Sequence, residues 1–430
     1  MPTIESASIR ILGTAVAVIL AGLSSASDAS VEVTTLAAED PGPDQYFGFS
    51  VAISGSTVAV GAQGDDDNGE ESGAAYVFVS SERCWSQQAK IAASDAAAGD
   101  QFGGSIALDG DTLLAGARRN DDSGNDSGAA YLFERSGSEW IQTAKLEAWD
   151  GDEGDEFGRS VALSGDTAIL AAPMDDDNGE DSGSVYVFTR SGHVWTQQAK
   201  LTAPDGAKGD LFGISVAFDG DTLLIGADLD DDNGENTGSV YVFVRSNDSW
   251  SHEAKLTAAD AGDVDIFGVR VALYGDTALI AARRDDDETS GADSGSAYVF
   301  VRSGSSWTQQ AKLTAGDAET GDLFGYNVGL YADTAIVTAA MDDDKAENSG
   351  AAYLFFRSGS KWTQQAKFTA PNGAKNDVLG WSVALSADTA VVGAPTSIHD
   401  PSGRSGLVHL LRRSGESWSQ ITDKPADCKP

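Results

Sequence analysis

Residues 157 to 203 read "FGRSVALSGDTAILAAPMDDDNGEDSGSVYVFTRSGHVWTQQAKLTA". Four short runs stand out in this stretch: FGRSVALS, TAILAAP, GSVYVFTR and WTQQAKLTA, joined by GD, MDDDNGEDS and SGHV. Each run is rich in Val, Ile, Tyr, Phe or Thr, tends to alternate, and is bounded by Gly, Asp, Asn or Ser, which is how strands between turns read. No helical period runs through it.

The same pattern returns along the whole chain. Phe-Gly or its equivalent falls at Phe47, Phe102, Phe157, Phe212, Phe267, Phe324 and Leu379, spaced 55, 55, 55, 55, 57 and 55 residues apart. A fixed period of this size marks a repeat architecture. Four strands per unit in seven units predict an all-β chain folded as a seven-bladed β-propeller, with four antiparallel strands per blade. Residues 29–430 then form one domain, with blades starting near 47, 102, 157, 212, 267, 324 and 379.

The second run of each unit is nearly all apolar, as expected of a strand covered on both faces. The fourth is polar and carries a lysine in six copies, Lys90, Lys145, Lys200, Lys255, Lys312 and Lys367. It reads as an exposed outer edge guarded against aggregation, so the chain runs outward through each blade. A Trp opens that run in all seven units, from Trp85 to Trp418, and is expected to pack between blades at the rim, with carbohydrate stacking as the alternative. Residues 31 to 40 align with a fourth strand, because Leu36 precedes Phe47 by the 11 residues that separate Leu201 from Phe212. They are the expected closing strand. Residues 418 to 424 also read as a fourth strand, and the pattern does not say which is outermost.

The net charge is -39 with 41% apolar residues. That apolar content supports a core, so the charge does not imply disorder. It disfavours nucleic acid and anionic membranes as partners and favours divalent cations or basic surfaces, on a protein or a polysaccharide. Residues 1 to 28 place Arg10 ahead of an apolar run and small residues, the layout of a signal peptide. Secretion to an extracellular, cell-surface or periplasmic location is expected, with no membrane span in the mature chain. No feature calls for an oligomer, so a monomer is expected. Cys84 and Cys428 are the two cysteines; they form one disulfide or remain two unrelated thiols. A closed ring brings the tail beyond blade seven beside the outer strand of blade one, and a bridge clamping that seam is the expectation.

The acid concentrates in the loop between the second and third runs, which holds 28 of the 67 acidic residues. In an antiparallel blade this loop shares a face with the connection to the next blade, so one face of the disc carries most of the negative charge. Blade four offers Asp228, Asp230, Asp232 and Asn233; blade three Asp175, Asp177 and Asn178; blade one Asp65, Asp67 and Asn68. Alternating oxygens followed by glycine are the pattern of calcium loops. Only blade four alternates fully, so the expectation is weak Ca²⁺ binding on a shared acidic face rather than tight cages. The opposite face carries Arg135, Arg190, Arg245, Arg302, Arg357 and Arg413 in the turn between runs three and four, read as solvated charge. His193, His252, His399 and His409 occupy unrelated registers and suggest neither zinc nor catalysis.

"FGRSVALSGDTAILAAP" followed by "GSVYVF" resembles the FG-GAP repeats of the integrin alpha-subunit propeller, and more closely secreted bacterial proteins of tandem FG-GAP type. The resemblance implies a seven-bladed propeller used in adhesion, with Ca²⁺ held between strands one and two of several blades. Here that connection is only "SGD" or "DGD", as at Ser164 to Asp166 and Asp219 to Asp221. It is too short to wrap a cation, so the family's calcium loop is not carried over. The expected function is an exported, non-enzymatic propeller that binds a partner through its acidic face. A structural scaffold whose acid serves solubility, and a channel-sited enzyme, are the alternatives.

Overall fold

The computed structural model describes residues 35–81, 84–286, 290–396, 405–414 and 417–420. The expected signal peptide, Cys428, His399, Asp400 and Arg404 lie outside the described residues. Blade three shows how a unit folds. Ser160–Ser164 pairs antiparallel with Thr167–Ala172, that strand with Ser184–Ser191, and that in turn with Val194–Leu201. The second strand is buried along its whole length, because sheets cover it on both faces. Pro173 falls just beyond it.

Seven such sheets stand in a ring, a seven-bladed β-propeller with no helix among the described residues. The first strand of each blade abuts the first strand of the next, from blade one round to blade seven and back. The first strands therefore line a central channel and the fourth strands form the rim. Strand four of blades one to six is shifted by a bulge against strand three, between Val187 and Phe188 in blade three.

The repeated Phe joins blades. Phe102 is fully buried, its ring packs edge-on against Tyr131 and Phe133 of its own blade, and its backbone N–H donates to Ser72 of the preceding one. Burying such a ring is worth about 2–3 kcal/mol, once in each of blades one to six, and Leu379 takes its place in blade seven. The glycine after it is forced. Gly103 has φ +82°, and a Cβ there would lie 2.5 Å from the carbonyl oxygen of Ala74.

Closure at blade seven resolves what the pattern left open. Thr35–Leu36 pairs with His409 and Val408, while Ser417–Gln420 pairs with residues 411 to 414 of the same strand. In blade three the equivalent residues, Tyr186 and Val185 on one side of the bulge and 188 to 191 on the other, all face one continuous fourth strand. Neither terminal segment is outermost. They share one strand position end to end, meeting where the other blades carry the bulge.

Candidate functional site

The expected metal-binding residues are built into the loop that follows strand two. Asp175 comes directly after the strand-two turn and is buried. Its Oδ2 accepts from the hydroxyl of Tyr186 at 2.8 Å and from the ammonium of Lys200 at 2.8 Å; its Oδ1 accepts from Ser184 at 2.9 Å and from the backbone N–H of Asp177 at 3.1 Å. Asp177 and Asp150 complete the shell of Lys200. Asp176, between them, accepts from the backbone N–H of Asp181 at 2.8 Å and pins the far side of the loop. Of the three consecutive aspartates the first and third thus converge on Lys200 while the second points away, since adjacent side chains diverge.

Lys90, Lys255, Lys312 and Lys367 each bridge the buried aspartate of their own blade, Asp65, Asp230, Asp285 and Asp342, to an aspartate of the preceding blade connection. Blade two has Asn120 in place of the buried aspartate, and Lys145 turns to Asp95, Asp122 and Glu147. The reading of these lysines as an exposed guard on the outer edge is corrected. Their side chains are only 12–25% exposed and reach over strand three into the acidic loop, because a cation is drawn to a buried carboxylate more strongly than to bulk water. Burial pulls the ammonium of Lys200 down, but Asp175, Asp177 and Asp150 outweigh it, so it holds its proton more firmly than a free lysine. Burial pushes the Asp175 carboxyl up, and Lys200 and Tyr186 overcome that and bring it below its usual range.

This separates the candidate ligands. Asp65 and Asp67 converge on Lys90, Asp175 and Asp177 on Lys200, and Asp230 and Asp232 on Lys255. Asn68, Asn178 and Asn233 are exposed at the loop tips. Asp228 is buried apart from Lys255, in the neighbourhood of Arg283 and Arg270. Among the described residues no group of three or more His, Cys, Asp or Glu side chains is arranged to hold a metal ion; in each loop the lysine ammonium stands among the carboxylates. Cys84 opens the fourth strand of blade one, and no free cysteine occurs among the described residues.

The arginine row is also corrected. Arg245 donates from Nε to Asp221 at 2.8 Å and from Nη1 to Thr167 of the preceding blade at 2.9 Å, and its guanidinium lies 5.6 Å from the Trp250 ring. Arg135, Arg302 and Arg357 make the same crossing to Thr57, Thr222 and Thr277. These are staples between blades, not solvated turn charges. The rim Trp residues follow them, with Trp140 donating to Gln88 and Trp362 to Gln310 of the preceding blades.

A further set went unread in the sequence. Ser50, Ser105, Ser215 and Ser382, three residues after the Phe or, in blade seven, Leu379, each donate at 2.7 Å to the glycine carbonyl of the next Phe-Gly, the last closing blade seven onto Gly48. Recurrence of serine within FGxS was the available signal. Blade five breaks the series with Arg270 and blade six with Asn327.

A family model described as FG-GAP repeat matches residues 31–78, 85–133, 140–188, 195–243, 250–300, 307–355 and 362–411. Each match takes a fourth strand and the first three strands of the following blade, so the sequence repeat is staggered against the structural blade. No curated protein matches the chain. Among solved structures, a chain from "Crystal Structure of Mitotic Checkpoint Complex" superposes with a TM-score of 0.53 at 13% identity, covering 94% of this chain and 99% of that one. At that identity the likeness concerns the fold alone.

Proposed function

Because the chain belongs to the FG-GAP repeat family, whose propeller fits a protein-binding or structural role, we propose that it is an exported, non-enzymatic propeller. Its partner is a basic surface met by the acidic face, in adhesion or surface assembly. One observation carries this reading. In blades one, three, four and six the lysine takes the first and third aspartates of the loop, and the second remains exposed in six blades: Asp66, Asp121, Asp176, Asp231, Asp286 and Asp343. They form a ring of carboxylates without a lysine of their own. Divalent cations join it as weakly held counterions. The reading as a non-enzyme rests on the histidines: His193 is exposed, His252 packs on Tyr241 and Phe243, and His409 is buried in blade seven.

Replacing Asp66, Asp176, Asp231 and Asp343 by Asn retains the oxygen that accepts the loop N–H and removes four charges. Binding of an oligolysine peptide should weaken and show a shallower salt dependence, with the melting temperature held or raised. Unchanged binding in this variant overturns the proposal. It would favour the second reading, a scaffold whose evenly repeated acid serves solubility.

A further inference from the structure

The central channel departs from the charge logic of the acidic loops. A cavity of about 320 Å³ at its mouth is lined from all seven blades, and its charged lining residues are Arg118, Arg159 and Arg270. Arg283 adjoins them, its guanidinium 5.2 Å from the Tyr326 ring. Arg118 and Arg159 share Glu156. Among the described residues no carboxylate lies within 4.0 Å of Arg270 or Arg283, in a chain with 67 acidic residues. Arg270 donates to its neighbouring carbonyl, Val269 O, at 2.8 Å, and Nε of Arg283 is buried with no hydrogen-bond partner. The buried Asp228 sits in the same neighbourhood, and its Oδ1 likewise has no hydrogen-bond partner. Four guanidinium groups thus face two carboxyls.

Structural need does not explain Arg270. Five other blades have serine at this register, four of them latching the next blade, so a serine would fit here. Burial, then the neighbouring Arg283, bring the Arg270 guanidinium down to about 10, against the pull of Asp228, an unfavourable placement for a cation with no carboxylate in contact. In blades one, six and seven the register of Arg159, two residues after the repeated Phe or its equivalent, carries rings instead. Phe49 and Tyr326 pack against Trp381 at 5.5 and 5.2 Å. One side of the mouth is cationic and forked, the other flat and apolar.

We propose that the channel mouth is a binding site for a small carboxylate ligand with an apolar face, of which a hexuronate sugar is the simplest. Arg270 and Arg283 take the carboxylate through their paired N–H donors. Trp381 and its neighbours cover the ring of the ligand. The negative loops do not forbid this. Each of their buried aspartates carries a lysine ammonium against it, as Asp175 does with Lys200 and Asp230 with Lys255, which offsets its field toward the channel.

Calorimetric titration of the full chain with glucuronate, glucose and acetate at constant ionic strength tests this. Expected are one glucuronate per chain, no binding of glucose, weaker binding of acetate, and at least a tenfold loss in Arg270→Ser and in Arg283→Gln. The melting temperature of Arg270→Ser should be unchanged or higher, since it restores the residue of the other blades. Glucuronate binding no tighter than glucose, several sites per chain, or undiminished affinity in a folded Arg270→Ser overturns the proposal; acetate binding as tightly as glucuronate overturns the role of the rings.

Discussion

Removing Lys200 tests whether the acidic loops are held by internal cations. In Lys200→Met the apolar stem is kept and the ammonium is lost, leaving Asp175, whose side chain is 4% exposed, with Tyr186, Ser184 and one backbone N–H as its partners. Breaking a buried pair from one side costs about 3–5 kcal/mol. Lys200 retains 12% exposure and Asp177 is open to water, so about 3 kcal/mol is the reasonable value. At roughly 2.1 cal/mol/K per residue, unfolding of a 430-residue chain carries about 0.9 kcal/mol/K of entropy, and the melting temperature should fall by about 3 °C. Scanning calorimetry resolves that. Lys208→Met is the control: Lys208 pairs with Glu180, but both are more than 60% exposed, and no change is expected. Adding Asp175→Asn to Lys200→Met should recover most of the loss, because blade two already carries Asn120 at this position. A Lys200→Met protein that melts with wild type, or a double variant no better than the single one, would refute the reasoning.

Burial pushes Asp155, Asp210, Asp265 and Asp322 up to about 6. A raised carboxyl binds its proton more readily folded than unfolded, so stability should rise as pH falls from 7.5 through 6. Below about 4 the lysine-bridged Asp40, Asp95, Asp175, Asp205 and Asp260, all lowered, lose their contribution; a melting temperature that declines steadily from pH 7.5 to 5 would contradict this. Ser382→Ala leaves the Gly48 carbonyl without its donor at the seam and should cost about 1–3 kcal/mol in denaturant titration; an unchanged midpoint would show that the latch does not bear on stability. Ca²⁺ and Mg²⁺ at equal ionic strength should raise the melting temperature equally, whereas a Ca²⁺-selective increase would reveal a dedicated site. Non-reduced peptide maps of the exported protein should link Cys84 to Cys428, and two alkylatable thiols would remove that bridge.

The fold was legible because period, strand signature and turn chemistry repeat seven times, and a sevenfold repetition averages out local ambiguity. The lysine–aspartate pairing was legible in principle. Lys200 and Lys367 lie 25 residues after the aspartates they neutralise, and blade seven lacks both the aspartate run and the lysine, with Thr35 at the corresponding place. Read singly, a lysine on a polar strand gives no hint of which way it bends. The arginine staples were not legible, because Arg245 finds Thr167 78 residues away, across a blade boundary that no local pattern marks. Nor was the shared closing strand, since both terminal segments carry the same fourth-strand signature and only three-dimensional register divides the position between them. The channel arginines were legible in part: Arg118 and Arg283, after strand two, break the symmetry of blades two and five, but Arg159 and Arg270 lie beside strand one, and only ring closure assembles the four.

The divided fourth strand of blade seven sets an order of events during synthesis. Leu36 is among the first propeller residues made, yet its partner Val408 emerges only after six complete blades. Until then the segment around Thr35–Leu36 has a pairing edge and no mate, while blades one to six can form as they leave the ribosome. Ring closure is therefore a late, long-range step, slow by its sequence separation. Through that interval the nascent chain is an open arc with two unsatisfied flanks, the state in which it is most exposed to mispairing with a second copy.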